Sequence, residues 1–341
     1  MSKKKYNITI LWWQSATGQQ GRWNPMAFHL AGHNVEYTES LHVSPFTDII
    51  FTPIPGMTSD KPLITQLGGY GRTLVLPGSK CSYRVEDTFK NSNMIVLLDP
   101  NMARELHRNG FDTSSCVLIP NACPPPEEIQ FNVEQQSKYF IVLNPSGTIP
   151  IKRMERFVEA ARVLGEYADD IKCIMTTRSN THYNAPIEWL EVENLFVTPR
   201  LPYQQTMELF GVADVVAPFS AAEIHPQTFL EAMVLGKPTV MDKNGLVFTV
   251  QMDELEDMKK DFGKSVNTFH KTWKSMYHSG NGDHYRHAKD SNALVEHIME
   301  LYENRNKLRR LGERASMWAS RYWKLQERGQ MIIDCFERFA Q

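Results

Sequence analysis

Residues 213–244, ADVVAPFSAAEIHPQTFLEAMVLGKPTVMDKN, contain the transition that decides the fold. The apolar run at their start predicts a buried strand that ends at Pro218. A polar loop then carries Glu223, and Pro226 suits the start of a helix, because its fixed φ and missing N–H are tolerated there. Gly236 is typical of a helix end, and a further strand follows it. These residues therefore predict a strand–loop–helix–strand unit of a parallel sheet.

This unit is suited to binding an anion between two polyols. The first turn of the helix, at Gln227 and Thr228, directs backbone N–H groups outward, where they suit an anion such as a diphosphate. Glu223, on the loop, is a candidate acceptor for sugar hydroxyls, and Glu231 is a candidate acceptor for two vicinal hydroxyls such as those of a ribose. His225 is a candidate donor to the sugar or the phosphate. The alternative is that the two glutamates are ordinary surface carboxylates near a helix cap.

Strands and helices alternate along the rest of the chain, which has 341 residues. Apolar runs predict strands at residues 7–12, 34–38, 48–52, 73–76, 94–98, 116–119, 139–143, 171–176, 195–198, 215–218 and 239–241. Helical patterns predict helices at residues 25–31, 61–67, 85–91, 101–109, 150–165, 203–211 and 227–235. This alternation predicts parallel βαβ units and thus an α/β fold of doubly wound sheets.

A proline-rich segment divides this alternation into two domains. Pro124, Pro125 and Pro126 fix φ and lack backbone donors, which is typical of a stiff connector. We predict the following parts: an N-terminal domain at 1–122, a linker at 123–137, a C-terminal domain at 138–312 and a helical tail at 313–341. Within them, 246–290 is predicted to be irregular and 314–339 to be one long helix that crosses back to the N-terminal domain. Ligands of open parallel sheets bind beyond the carboxyl ends of the strands, so both sheets are expected to face one cleft.

Four short motifs, taken in their order, resemble one family of enzymes. Glu223 and Glu231, with seven residues between them, are similar to the EX7E motif of retaining GT-B glycosyltransferases, especially the GT4-like family. Lys152 is similar to the lysine with which that family neutralises the donor diphosphate, with a solvated residue at a helix start as the alternative. Pro120-Asn121 and Arg200-Leu201-Pro202 are similar to two further segments of the family.

The resemblance, which covers residues 94–240 best, implies a fold and an activity. The fold is GT-B, in which two Rossmann-like domains face a cleft. The activity is a retaining transfer of a sugar from a nucleotide-sugar donor, with a UDP-sugar favoured, to a hydroxyl acceptor. Glu223 then orients the sugar and Glu231 holds the ribose. Lys152 and the helix start stabilise charge on the leaving diphosphate, and neither a metal nor a cofactor besides the donor is implied.

Further donor-site candidates come from the same resemblance. Ser146-Gly147-Thr148 stands where the family has an arginine, and Arg153 is the candidate to replace it. Arg200 is a candidate contact to the base or the phosphate, with an ordinary surface ion pair as the alternative. The loop that contains Gly18 and Gly21 resembles the glycine-rich loop that closes over donor and acceptor in the family, and a simple turn is the alternative.

The four motifs do not identify the acceptor of the sugar. Residues 268–289 interleave aromatic and basic side chains, a composition that suits single-stranded nucleic acid. The favoured alternative is an exposed, variable loop. The acceptor is thus a glycan or, if this segment binds nucleic acid, a hydroxymethylated DNA base. Two other functions compete with the transferase: a sugar-nucleotide epimerase on the same plan, and a non-catalytic GT-B-like binding subunit.

The composition of the chain indicates the cellular compartment in which the protein works. The formal net charge of -2 gives no overall basic field for nucleic acid. No apolar run approaches the roughly 20 residues that span a bilayer, and the basic start precedes only a strand-length apolar stretch. The 5 cysteines are odd in number and form no CxxC pair, which favours free thiols in a reducing compartment. We therefore expect a soluble, cytoplasmic protein.

Overall fold

The computed structural model describes twelve parts of the chain. These are residues 4–11, 19–38, 40, 43–67, 83–98, 100–129, 137–147, 152–177, 185–220, 227–242, 286–321 and 324–339. They divide into two compact units. Described residues up to 122 and residues 324–339 belong to the first unit, whereas residues 123–242 and 286–321 belong to the second.

In its described residues, the first unit is built on six strands. They are β1 (Asn7–Leu11), β2 (Asn34–Thr38), β3 (Ile49–Thr52), β4 (Leu63–Leu67), β5 (Met94–Leu97) and β6 (Cys116–Leu118). All pair in parallel, in the order β2-β1-β3-β4-β5-β6. β3, β4 and β5 are buried along their whole length, as expected of parallel strands covered on both faces. The strand predicted at 73–76 lies outside the described residues.

β4 corrects the sequence prediction, which placed a helix at residues 61–67. Pro62 disfavours a helix at the residue before it, and Ile64 and Thr65 are β-branched residues that favour a strand. The Thr65 hydroxyl forms a hydrogen bond with the Ser92 hydroxyl over 2.7 Å. A central strand that is buried on both faces shows no alternation of polarity, so its short pattern was mistaken for a helix.

The helices of the first unit also correct one prediction. They are α1 (Gln19–Leu30), α2 (Tyr83–Asn91), α3 (Pro100–Arg108) and the C-terminal helix α10 (Leu325–Phe339). α1 begins six residues before the predicted start at Pro25, which lies inside the helix. Gly21 is therefore in the first turn of α1 and not in a loop. Glutamine is a good helix former, and a glycine in a helix costs about 1 kcal/mol at most, so Gln19 and Gln20 extend the helix through it.

α10 packs closely against α1. The contact needs a glycine, because a Cβ atom at Gly329 would lie 2.1 Å from the carbonyl oxygen of Ala27. Ile332 and Phe336 of α10 join the apolar core of the first unit, which also contains Phe28 of α1. The chain end thus contributes to the core of the unit in which the chain begins.

The described residues of the second unit form a four-stranded parallel sheet. Its strands are β7 (Phe140–Asn144), β8 (Ile171–Thr176), β9 (Leu195–Thr198) and β10 (Val215–Val216). They pair in the order β10-β7-β8-β9. Its helices are α4 (Met154–Tyr167), α5 (Ile187–Leu190), α6 (Tyr203–Val212), α7 (Gln227–Val234), α8 (Ser291–Glu303) and α9 (Arg305–Arg321). α4 begins later than the predicted residue 150, so Lys152 and Arg153 precede the helix.

A small third sheet corrects the prediction of irregular structure at residues 246–290. β11 (Val240–Asp242) pairs in parallel with β12 (Arg286–Ala288), and Thr239 bridges to Val216 of β10. A three-residue strand with arginine and histidine is too short and too polar to show a period, which explains why it was missed. Residues 243–285 lie outside the described residues.

The predicted single helix at 314–339 is also wrong, because α9 ends at Arg321 and α10 begins at Leu325. The carboxylate of Glu327 accepts the backbone N–H of Lys324 over 3.0 Å. This contact is one half of a capping box and marks the start of a new helix. α9 belongs to the second unit and α10 to the first.

The remaining features concern membranes and thiols. Among the described residues, the structure contains no helix that is both long and apolar enough to cross a membrane. Cys116, Cys123, Cys173 and Cys335 are free, buried thiols. Burial raises the pKa of Cys173 to about 12, so this thiol stays neutral and acts as a small core residue.

Candidate functional site

The strand order of the second sheet reverses at β7. The chain runs from β7 through β8 to β9 on one side, and then returns to β10 on the other side of β7. β10 pairs with β7 at Val215–Val142 and Val216–Leu143. Ligands of open parallel sheets bind beyond the carboxyl ends of the strands at such a reversal. The loops that follow β7 and β10 therefore define the candidate site.

Polar side chains are buried at the carboxyl ends of these two strands. Asn144 ends β7 and Ser220 follows β10, and their side chains are 0% and 1% exposed. The Oδ1 atom of Asn144 accepts the backbone N–H of Ser146 over 3.1 Å. Within the described part of the chain, Asn144 Nδ2 and Ser220 Oγ have no hydrogen-bond partner. Because buried polar atoms nearly always have a partner, these two atoms mark a place that water or a ligand completes.

Glu231 lies on α7, the helix that follows β10 along the chain. Its side chain is fully buried, and the hydroxyl of Tyr203 donates a hydrogen bond to its Oε1 atom over 3.3 Å. Tyr203 is the first residue of α6, so this bond connects the start of α6 to α7. A buried carboxylate needs such partners, because burial without them is very unfavourable. Gln227 is buried and Thr228 half-buried in the first turn of the same helix.

Lys152 and Arg153 lie in the loop after β7, directly before α4, and both are half-buried. Arg153 has φ 44° and ψ 45° and makes no side-chain cap to α4. Among the described residues it is the one non-glycine residue with positive φ. Such a conformation costs an L-residue roughly 1–2 kcal/mol, so the surroundings impose it. Two cations beside a helix N-terminus oppose the helix dipole and favour an anion at that place.

The other predicted site residues fall elsewhere. Arg200 is exposed in the segment between β9 and α6. Gly21 lies in α1 of the first unit. Glu223, His225 and Gly18 lie outside the described residues.

Asn144, Ser220 and Tyr203 were not predicted as site residues from the sequence. A polar residue that ends an apolar strand was a usable signal for Asn144, since strand ends carry ligand contacts in this class of fold. Tyr203 carried no such signal, because its contact with Glu231 depends on tertiary packing. Over the ranges that the structure describes, no group of three or more His, Cys, Asp or Glu side chains could hold a metal ion.

A buried arginine lies at the carboxyl edge of the first sheet. Arg328 of α10 is 1% exposed. Its guanidinium donates to the carbonyl oxygen of Pro120 over 2.9 Å, to Oδ1 of Asn24 over 2.7 Å and to Oε1 of Gln66 over 2.6 Å. Burial lowers the pKa of Arg328 to about 10. This network fixes the segment that contains Pro120-Asn121.

No protein-family model matches the chain, and no curated protein matches its sequence. Solved structures, however, match it over nearly its whole length. A glycosyltransferase from Rickettsia africae ESF-5 is 15% identical, with a TM-score of 0.65, and the match covers 99% of this chain and 100% of that one. Sucrose-phosphate synthase from Thermosynechococcus elongatus is 12% identical, with a TM-score of 0.68 and coverage of 98% and 99%. The chain has the GT-B fold.

A third structure with the GT-B fold was solved with ligands. Anabaena HepE, in complex with UDP and glucose, is 13% identical, with a TM-score of 0.64, and the match covers 97% of this chain and 99% of that one. At such low identities the likeness shows the fold alone. A fold supports many activities, so function has to be argued from the site.

Proposed function

We propose that this protein is a glycosyltransferase whose second unit binds a nucleotide-sugar donor and which transfers the sugar to a hydroxyl acceptor. The observation that carries the proposal is the reversal of strand order at β7. The chain leads from β7 to Lys152, just before α4, and from β10 to Glu231 on α7. Structures of HepE in complex with UDP and with UDP-glucose, which share the fold, support a UDP-sugar as the donor.

The diphosphate is proposed to bind at Lys152 and at the first turn of α7, which begins at Gln227. The charge of Lys152 and the backbone N–H groups of Gln227 and Thr228 both favour an anion. Glu231 is proposed to accept the ribose hydroxyls, and Tyr203 holds one of its carboxylate oxygens in place. These roles need only residues of the second unit.

The remaining predicted residues complete the proposed donor site. Glu223 orients the transferred sugar, and His225 donates to the sugar or the phosphate. Arg153 adds a second positive charge next to Lys152, and Arg200 contacts the base or the phosphate. Because Glu223 and His225 lie outside the described residues, their roles rest on the EX7E resemblance.

The proposed reaction retains the configuration of the anomeric carbon. The bond between that carbon and the phosphate oxygen breaks, and the acceptor oxygen forms a bond on the same face. The acceptor proton passes to the departing diphosphate oxygen. Negative charge develops on the leaving group, so the protein acts by positioning the substrates and by stabilising this charge through Lys152 and the start of α7.

The acceptor in this proposal is a hydroxyl compound, either a glycan or a hydroxymethylated DNA base. The DNA acceptor depends on the aromatic and basic pattern at residues 268–289. Of these residues, the structure describes 286–289, which include β12.

A thermal-shift comparison with UDP, GDP, ADP and dTDP tests the donor site. A ligand that binds the native state raises its stability, by about 2.7 kcal/mol at 100 times its dissociation constant. We expect UDP to raise the melting temperature most, with release of glucose from UDP-glucose as a second readout. A chain that is folded but responds to none of the four nucleotides contradicts the proposal.

A further inference from the structure

We infer that Asn144 and Ser220 donate hydrogen bonds to the phosphate oxygens of the nucleoside diphosphate. This inference rests on the proposed function, because it assigns the diphosphate to the reversal of strand order in the second sheet. Neither residue belongs to the EX7E pattern or to the other motifs of the sequence. The inference thus adds two neutral contacts to the charge of Lys152.

The first argument is the state of the two side chains. Both are buried, yet Asn144 Nδ2 and Ser220 Oγ have no hydrogen-bond partner within the described residues. The contact from the backbone N–H of Ser146 identifies the Asn144 carbonyl oxygen, so the unpartnered atom of that amide is the one that carries two N–H groups. A serine hydroxyl also donates one hydrogen bond. Two buried donors without acceptors call for an acceptor-rich occupant.

The second argument is their position. Asn144 ends β7 and Ser220 follows β10, and these strands are paired neighbours on either side of the reversal. The chain continues from Asn144 to Lys152, and from Ser220 to the first turn of α7. Every one of these groups favours an acceptor or an anion. A phosphate has several acceptor oxygens and negative charge, so it satisfies all of them at once.

Asn194 provides a matched control within the same unit. It is also buried, at 4% exposure, and its Nδ2 atom also has no partner in the described parts of the chain. It directly precedes β9, however, and so lies at the amino end of the sheet, away from the reversal. The same amide chemistry is therefore present without the ligand position.

The experiment measures UDP affinity by calorimetry for the wild-type chain and for Ser220→Ala, Asn144→Asp and the control Asn194→Asp. Asn144→Asp keeps the acceptor for Ser146 but replaces the N–H donors with a carboxylate oxygen, which repels phosphate. A hydrogen bond to a charged group corresponds to about 10- to 100-fold in affinity, and we expect Ser220→Ala and Asn144→Asp to weaken UDP by at least this lower factor. Asn194→Asp should leave UDP affinity unchanged.

Two further readouts separate a ligand contact from a structural role. Ser220→Ala removes a buried hydroxyl that has no partner, so the ligand-free protein should melt no lower than wild type. Uridine, which lacks phosphate, should bind the wild-type and Ser220→Ala proteins equally in saturation-transfer NMR. An equal loss of uridine and UDP affinity overturns the phosphate assignment.

The outcomes distinguish this inference from the proposed function. If wild type binds UDP and both site variants bind it as tightly, the two side chains hold only water and the inference is wrong, while the proposed function stands. If folded wild type binds no nucleoside diphosphate, the proposed function fails, and the inference fails with it.

Discussion

The Nε atom of Arg328 donates a hydrogen bond to the carbonyl oxygen of Pro120 over 2.9 Å. The bond connects the C-terminal helix α10 to the segment after β6, and two further bonds reach Asn24 of α1 and Gln66 of β4. One guanidinium thus joins three regions of the first unit. All three acceptors are neutral. The buried guanidinium is therefore stabilised by the dipoles of a backbone carbonyl and two side-chain amides.

We expect Arg328→Met to lower the free energy of unfolding by about 2–4 kcal/mol. The variant removes three hydrogen bonds from a charged donor and leaves buried acceptors at Gln66 and Asn24 without this partner. Urea unfolding measures the change. Arg309→Met is the control, because Arg309 is exposed and its ion pair with Glu313 is 3.9 Å long; its effect should stay within about 0.5 kcal/mol. Equal effects of both variants would show that the buried network adds no net stability.

Gly329→Ala should also destabilise the first unit. In a free helix this substitution is favourable by about 1 kcal/mol. Here the added Cβ atom would lie 2.1 Å from the carbonyl oxygen of Ala27, so α10 and α1 have to separate. We expect a net loss of about 1–3 kcal/mol in urea unfolding. Ser320→Ala, at an exposed position of α9, changes the helix propensity without creating a steric clash. It should be neutral or slightly stabilising. A stabilising Gly329→Ala would contradict the close contact.

Glu231→Gln should weaken UDP binding by about 10- to 100-fold while the chain stays folded. The substitution keeps the size of the side chain but removes the charge that strengthens hydrogen bonds to ribose hydroxyls. Tyr203→Phe should weaken UDP less, because Tyr203 acts through its bond to Glu231. Calorimetry with UDP measures both variants, and the exposed Glu166→Gln is the control. Unchanged affinity in Glu231→Gln would remove Glu231 from the donor site.

The sequence predicted those parts of the fold that depend on local pattern. An apolar run located β7, because a strand that is buried along its whole length in a parallel sheet needs such a run whatever its neighbours are. β4 was not recognised, because it is a central strand, paired with β3 along one edge and with β5 along the other, and it is buried along its whole length, so its sequence shows no alternation of polarity.

The candidate site was only partly predictable for a related reason. Glu231 could be predicted from its spacing to Glu223, because this spacing is visible in the sequence itself. Asn144 and Ser220 become neighbours of one site only once the strand order is known, since residues far apart in sequence meet where β10 pairs with β7. The left-handed backbone at Arg153 is imposed by its surroundings. The backbone preference of arginine therefore could not predict it.

Because of Tyr6, the free energy of unfolding should depend on pH in the alkaline range. Burial, followed by the hydrogen bond that its hydroxyl donates to Glu337, raises the pKa of Tyr6 from 10.0 to about 12. A raised folded-state pKa contributes stability that is fully present below pH 10 and is lost as the pH rises towards 12. We expect urea midpoints to fall over this interval, and to fall less in Tyr6→Phe. Tyr139→Phe, at a more exposed tyrosine, is the control. The same pH profile in wild type and Tyr6→Phe would refute this linkage.

Arg153 offers a test of backbone strain at the proposed anion site. Its φ of 44° suits glycine, so Arg153→Gly should be more stable than Arg153→Ala by about 1 kcal/mol in urea unfolding. Both variants remove the same charge, and the comparison therefore isolates the backbone. If the side chain contacts the diphosphate, both variants should lose UDP affinity equally, although they differ in stability. If the two variants are equally stable, the left-handed conformation carries no strain. If both bind UDP as tightly as wild type, the Arg153 side chain does not contact the diphosphate and acts only on the conformation of the chain before α4.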